Sequence, residues 1–290
     1  MMPIQLFWIA FAVLLFVGGL SGIYMSLETF SPGLEGDVLA KRDRYSVATH
    51  LHGVTMALSL PVAGIGGLTT FLLAERDIAP VARQALYACG FTLIALAFTA
   101  LAFSQSLQPF VGSMDSVSVP AACAILVGLL LLRHPSRNAS AFIFLAACLV
   151  PAAFYGIALR LLGNAANTSF WADTHVATAI SHMIGFGLVL LLFSCLSVWS
   201  HARGARLNAW ITAGYVSLLT VALRFQLAAH FAAGLAGMPR RYADYPASFE
   251  PMMESTAWFG FLIAGLFLLG LARFFFAIWS RDRSTAADVF

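Results

Sequence analysis

Eight stretches of this chain are apolar for long enough to cross a lipid bilayer. They run over roughly 5–27, 47–74, 85–107, 117–133, 139–162, 173–199, 208–235 and 255–279. A bilayer core needs about 20 apolar residues in a helix, and only helices or closed barrels satisfy their backbone within it. The pattern therefore predicts an all-α, polytopic transmembrane bundle of about eight helices, folded as one domain over 1–290. Composition agrees: the 290 residues are 60% apolar and only 10% charged, against about 25% charged in soluble domains. The net charge of +3 is scattered, so nothing points to nucleic acid. The first stretch lacks a basic start and a clear cleavage site, so it reads as a retained helix.

The arginines give an orientation. Arg76 and Arg83, Arg133 and Arg137, Arg203 and Arg206, and Arg281 and Arg283 follow the second, fourth, sixth and eighth stretches. The opposite loops 108–116 and 163–172 hold no Lys or Arg. By the positive-inside rule both termini are expected in the cytoplasm, as in a multi-pass protein of a bacterial inner membrane. Lys41, Arg42 and Arg44 oppose this only in part, since Glu35, Asp37 and Asp43 share their loop. Cys89, Cys123, Cys148 and Cys195 show no paired spacing and read as core or lipid-facing residues. Trp171, Trp258 and Trp279 read as interfacial anchors. No spanning segment carries a string of carboxylates, so proton pumping has little support.

Ionisable residues at membrane depth are functional candidates by default. The second helix opens with "YSVATHLHGVTM", holding His50 and His52, and the sixth with "DTHVATAISHMIGFG", holding His175 and His182. The seventh holds Arg224 and His230 and leaves through "GLAGMPRRYADYP". His52 and His182 are expected at similar depth below Arg240 and Arg241. Two imidazoles beneath two guanidiniums suit a haem, with iron held axially and propionates paired to arginine. His50 and His52 point to different faces; His175 and His182, seven apart, share one. A lone membrane histidine is more often a packing residue, and His230 and Met183 read that way. Arg224 has two readings, a haem substituent or a backbone carbonyl or partner chain.

These segments resemble subunit I of the haem–copper oxidases, the cytochrome c oxidase family. "GLAGMPRRYADYP" is similar to the loop between that subunit's last two helices. "DTHVATAISHMIGFG" resembles its Asp-Thr-Tyr-Tyr-Val-Val-Ala-His-Phe-His segment, with the second histidine at His182. "YSVATHLHGVTM" resembles the start of its second helix, with the ligand at His52 and Met56 also matching, and "LETFSPGLEGD" resembles the exit from its first. The resemblance covers helices one to three and the last four. It implies that His52 and His182 are the axial ligands of one low-spin haem, of type a, b or o, with Arg240 and Arg241 as propionate partners. Asp173 matches an acidic residue near the family's outer metal region.

The departures bear on function. The proximal ligand of the oxygen-binding haem falls on Ile180, and the histidine before Asp173 is Ala172. No His-Pro-Glu-Val-Tyr segment and no His-His pair is present; the only His-Pro is His134-Pro135. About four middle helices are missing, so no copper is expected. The arginine that meets the haem A formyl group falls near Ser26, and the family's helix-two proline is offset by two at Pro61. What the resemblance implies is a membrane electron-transfer subunit of a respiratory complex, unlike an enzyme that reduces oxygen by itself. Its partners would be other subunits, with a periplasmic cytochrome c, a cupredoxin-type donor or a quinol. One alternative is a subunit of a working terminal oxidase completed by another chain, with His175 as a further ligand. Another is a non-catalytic scaffold or sensor. His50 and His230 are the other residues that a second haem would draw on.

Overall fold

A computed structural model describes residues 2–30, 38–103, 139–148, 174–202, 205, 207–239 and 245–287. Almost all of these are helical, and no strand occurs among them beyond one isolated bridge. In chain order the helices are α1 (Met2–Phe30), α2 (Val38–Val54), α3 (Leu68–Ala74), α4 (Pro80–Ala102), α5 (Ala139–Ala147), α6 (His175–Ala202), α7 (Ala209–Leu235) and α8 (Glu250–Ala287). Five helical stretches are long and apolar enough to cross a membrane: Pro3–Glu28, Pro80–Ala102, His175–His201, Ala209–Leu235 and Ala247–Ala277. They coincide with the first, third, sixth, seventh and eighth apolar stretches of the sequence. The fourth stretch, most of the fifth, and the loops 108–116 and 163–172 lie outside the described residues.

The second apolar stretch is also helical, but in an unusual way. Residues 38–74 form one unbroken run, in which π-helix over Thr55–Ser59 and Pro61–Gly67 joins α2 to α3. Pro61 lacks a backbone N–H, so a regular α-helix would lose a hydrogen bond there. The wider π turns begin around it, and such turns often lie at functional sites. They hold more residues per turn, so a helix can absorb extra residues at this point without losing its path. This gives Pro61 a structural setting.

Lipid tails are as apolar as leucine, so the hydrophobic effect does not drive these helices together; packing and interhelical hydrogen bonds do. α6 sits at the centre, with 67% of its span buried against 17% for α4 at the edge. Phe193 on α6 packs against Phe144 of α5 and Phe274 of α8, with ring centroids 5.4 and 5.6 Å apart. Trp8 of α1 meets Trp199 of α6 at 4.9 Å. Short polar side chains tie helix to helix. The Ser194 hydroxyl donates to the Ala141 carbonyl at 2.9 Å, Ser59 to Ala97 at 3.0 Å and Tyr215 to Leu266 at 2.8 Å. Bonds of this kind contribute about 0.6–2 kcal/mol each in a membrane.

The end of α7 is tied to the start of α6. Gly237 adopts φ +86°, its N–H bonds the Gly234 carbonyl at 3.0 Å, and Met238 N–H bonds the Ala233 carbonyl at 2.9 Å. This is the Schellman arrangement, which satisfies helix-terminal carbonyls and reverses the chain. Met238 then packs with Ala233 and Met253, and its carbonyl accepts the His175 N–H at 3.1 Å. Thr174 and Pro239 form the isolated bridge. These contacts set the depth at which His175 enters the bundle.

That close approach depends on Gly234, because a Cβ there would run into the backbone nitrogen of Val176. Gly234→Ala is expected to destabilise the fold by about 1–3 kcal/mol, the usual cost of overpacking. Thermal unfolding in detergent checks this: Gly214→Ala, where a Cβ meets nothing within 4 Å, should be near neutral.

Candidate functional site

The sequence points to five intramembrane histidines, His50, His52, His175, His182 and His230, and the structure gathers the last three in one line. His175 and His182 lie two turns apart on the same face of α6. His230 comes across from α7 and touches both. The Nδ1 atoms of His175 and His230 are 3.0 Å apart, their rings 16° from parallel and their centroids 5.2 Å apart. That centroid distance is close to the most a 3.0 Å contact permits, so the two nitrogens point at each other along one line. One Nδ1 must donate and the other accept, so the two rings hold opposite tautomers. On its other side His230 lies near-parallel to His182, at 26° and 5.0 Å between centroids.

His52 stands on α2 within electrostatic reach of His182. Its neighbour on the other side is α1. His52 Nδ1 lies 2.9 Å from the Gly18 carbonyl, and Gly22 faces the ring itself. A Cβ on Gly22 would come within 2.8 Å of His52 Cε1. The missing side chain is what lets the Cε1–Nδ1 edge of the imidazole approach α1.

The hydrogen bonds fix the chemistry of both rings. A carbonyl oxygen only accepts, so Nδ1 of His52 carries the proton. The same holds for His182, whose Nδ1 donates to the Thr178 carbonyl at 2.8 Å. With the proton on Nδ1, each Nε2 presents a lone pair, and neither has a hydrogen-bond partner among the described residues. A neutral imidazole oriented in this way by an Nδ1–H bond to a carbonyl is the form that binds a metal through Nε2. His50 also donates from Nδ1, to the Ser46 carbonyl at 2.7 Å. That bond stays within its own helix, so it carries no placement toward α6.

His175 and His230 are each 6% exposed. Nε2 of His175 is buried without a partner among the described residues. The sequence alone reads His230 as a packing or interface residue; in the structure it is buried and packs between His175 and His182. The spacing signal was present, since His230 sits seven residues before Gly237, where the chain turns back to α6. Ile180 packs against the core beside this line.

Arg240 and Arg241 lie outside the described residues, as do Asp173 and Ala172. Their immediate neighbours are placed: Pro239 pairs with Thr174, one residue before His175. Arg224 is described, and it does not reach the histidines; its side chain is exposed on α7. Below the site is a small apolar cavity of about 50 Å³. Met56, one turn beyond His52, lines it, as do Val189, Leu15 and Phe11. Among the described residues no three or more His, Cys, Asp or Glu side chains converge on one point. No family model matches the chain.

Histidine ¹⁵N spectra of the labelled protein check the tautomers. His52 and His182 are expected as Nδ1–H forms, and His175 and His230 as one form of each kind. Identical tautomers for His175 and His230 would contradict the in-line hydrogen bond.

Proposed function

We propose that the chain is a membrane electron-transfer haem protein, with one haem held by His52 and His182. The observation that carries this is the pair of imidazoles, from α2 and α6, whose protons are committed to Nδ1 and whose Nε2 lone pairs remain free. The resemblance of their flanking segments to the oxidase subunit I family supports it, with the same two residues in the ligand positions. The residues present fit the group. Gly22 leaves room beside α1 for the His52 ring, which a Cβ would meet at 2.8 Å, and a small apolar cavity lies next to Met56 and Val189.

A haem ligated by two imidazoles supplies low-spin, one-electron chemistry. The chain's own residues do the rest. His52 and His182 ligate, and the Gly18 and Thr178 carbonyls hold their rings in the correct tautomer. The surrounding leucine and phenylalanine side chains exclude water, a lever on potential. Arg240 and Arg241 are the propionate partners in this reading. Both termini are then cytoplasmic, as the arginine pattern suggests, and the histidine end of the bundle faces outward from a bacterial inner membrane. The role is that of a subunit or relay in a respiratory complex, taking electrons from a periplasmic cytochrome c, a cupredoxin-type donor or a quinol.

A second reading is a subunit of a working terminal oxidase whose centre is completed by another chain. The buried Nε2 of His175, without a partner among the described residues, favours it, because that atom is a further lone-pair donor when His175 gives its Nδ1 proton to His230. A reduced-minus-oxidised visible spectrum separates the two. A sharp low-spin α-band indifferent to carbon monoxide is expected; a species that binds carbon monoxide would move the assignment to the oxidase. A protein purified without haem would leave a scaffold or sensor. His52→Ala and His182→Ala should each abolish the low-spin band, and its survival in both would remove the ligand assignment.

Glycine substitutions on α1 give an independent check. Gly22→Leu is expected to displace the His52 ring and abolish haem incorporation. Gly19→Leu, at a position where a Cβ meets nothing within 4 Å, should leave the spectrum unchanged. Equal haem content in the two variants would argue against this role for Gly22.

A further inference from the structure

The clearest unexplained feature outside the histidine site is Arg224. It lies near the middle of α7, about 16 Å along the axis from Leu235 and about 21 Å from Trp210 at 1.5 Å per residue. A bilayer core is about 30 Å thick, so either end is further away than the side chain is long, and the guanidinium cannot snorkel clear. The side chain is exposed, and it has no hydrogen bond or ion pair among the described residues. Val221, one turn away, is 50% exposed, and beyond it Leu218 and Phe225 are 50% and 51% exposed, the Phe225 ring stacking on Phe259 of α8 at 5.1 Å. Intramembrane arginines almost always face a bundle interior or a water-filled cavity and pair with another charge or with backbone carbonyls. This one faces outward.

No acidic side chain among the described residues meets it. It has 13 acidic residues, and those nearest the apolar stretches are Glu28, Glu75, Asp115, Asp173, Glu250 and Glu254. All lie at or beyond the ends of a stretch, none at mid-depth. A second copy seated on this face would bring another Arg224 and like-charge repulsion. An apolar stripe bordered by a single guanidinium therefore calls for a different chain with the complementary group.

We propose that the exposed α7 stripe of Leu218, Val221 and Phe225, bordered by Arg224, is the docking surface for a transmembrane helix of another protein, one carrying an aspartate or glutamate at mid-membrane depth. Leu218, Val221 and Phe225 supply the packing. The guanidinium supplies the specificity, because planar bidentate pairing with a carboxylate fixes both depth and rotation of the incoming helix. The surface is independent of the haem assignment.

A photoreactive amino acid placed at Val221, in the full chain within its own membrane, tests this. The expected result is an adduct with one other membrane protein whose spanning segment holds a mid-depth Asp or Glu. Arg224→Glu should lower its yield about tenfold or more, equivalent to about 1.4 kcal/mol, and Arg224→Lys less. Changing the partner's carboxylate to Arg should restore the adduct in the Arg224→Glu background. The same probe at Leu96, on the exposed face of α4, should not give that adduct. If Arg224→Glu fails to insert, Arg224→Leu takes its place, since it removes the charge from an apolar face; it should insert normally and lose the adduct. Adducts with lipid alone, with a second copy, or with a protein lacking a mid-membrane carboxylate would overturn the proposal. So would a yield that neither variant changes.

Discussion

Inside a bilayer a polar group without a partner costs several kcal/mol, and water is not there to supply one. Most of what is distinctive in this chain answers that constraint. The backbone is satisfied by helices, and where Pro61 removes a donor the helix widens into π turns and continues. Hydroxyls bond to carbonyls of the next helix, as Ser194 does to Ala141 and Tyr215 to Leu266. The end of α7 closes its carbonyls on Gly237 and Met238 and hands the Met238 carbonyl to the start of α6.

The histidines obey the same rule with a useful remainder. An imidazole has two nitrogens, and a single carbonyl satisfies one. Bonding Nδ1 of His52 to α1, and Nδ1 of His182 to its own helix, satisfies the donors and leaves two acceptors. An under-satisfied acceptor is cheaper to bury than an orphaned donor, and a metal relieves it further. In the haem reading proposed above, what the polypeptide tolerates as a packing compromise would also be a preorganised donor set. The in-line bond between His175 and His230 works differently, because it fixes opposite tautomers in neighbouring rings and leaves His175 Nε2 as a buried remainder.

The membrane architecture was legible because it rests on composition and length, which need no tertiary knowledge. Five of the eight apolar stretches are spans by length and apolarity, and 47–74 is helical throughout. The sharing of a face by His175 and His182 was also legible, since seven residues is two turns. The place of His230 was not. Periodicity says which residues of one helix align, but not which neighbouring helix they meet; that was decided by Gly234 and Gly237, which let the end of α7 lie directly against the start of α6. Nor could the sequence say which way Arg224 points. The π turns were hidden for a related reason: Pro61 advertises a break, while the helix uses it to change pitch.

α7 ties these observations together. His230 and Gln226, four residues apart, are buried toward the other helices, and a Cβ on Gly260 of α8 would meet both Gln226 and Ser26 of α1. Arg224 is six residues from His230, about 240° around the helix at 3.6 residues per turn, and so leaves on another face. One helix thus contacts the histidine line inward and presents its unpaired charge outward. A rotation of α7 that buried Arg224 within this chain would carry His230 off His175 and break their bond. The inward contact therefore holds the guanidinium out, away from every described acidic side chain.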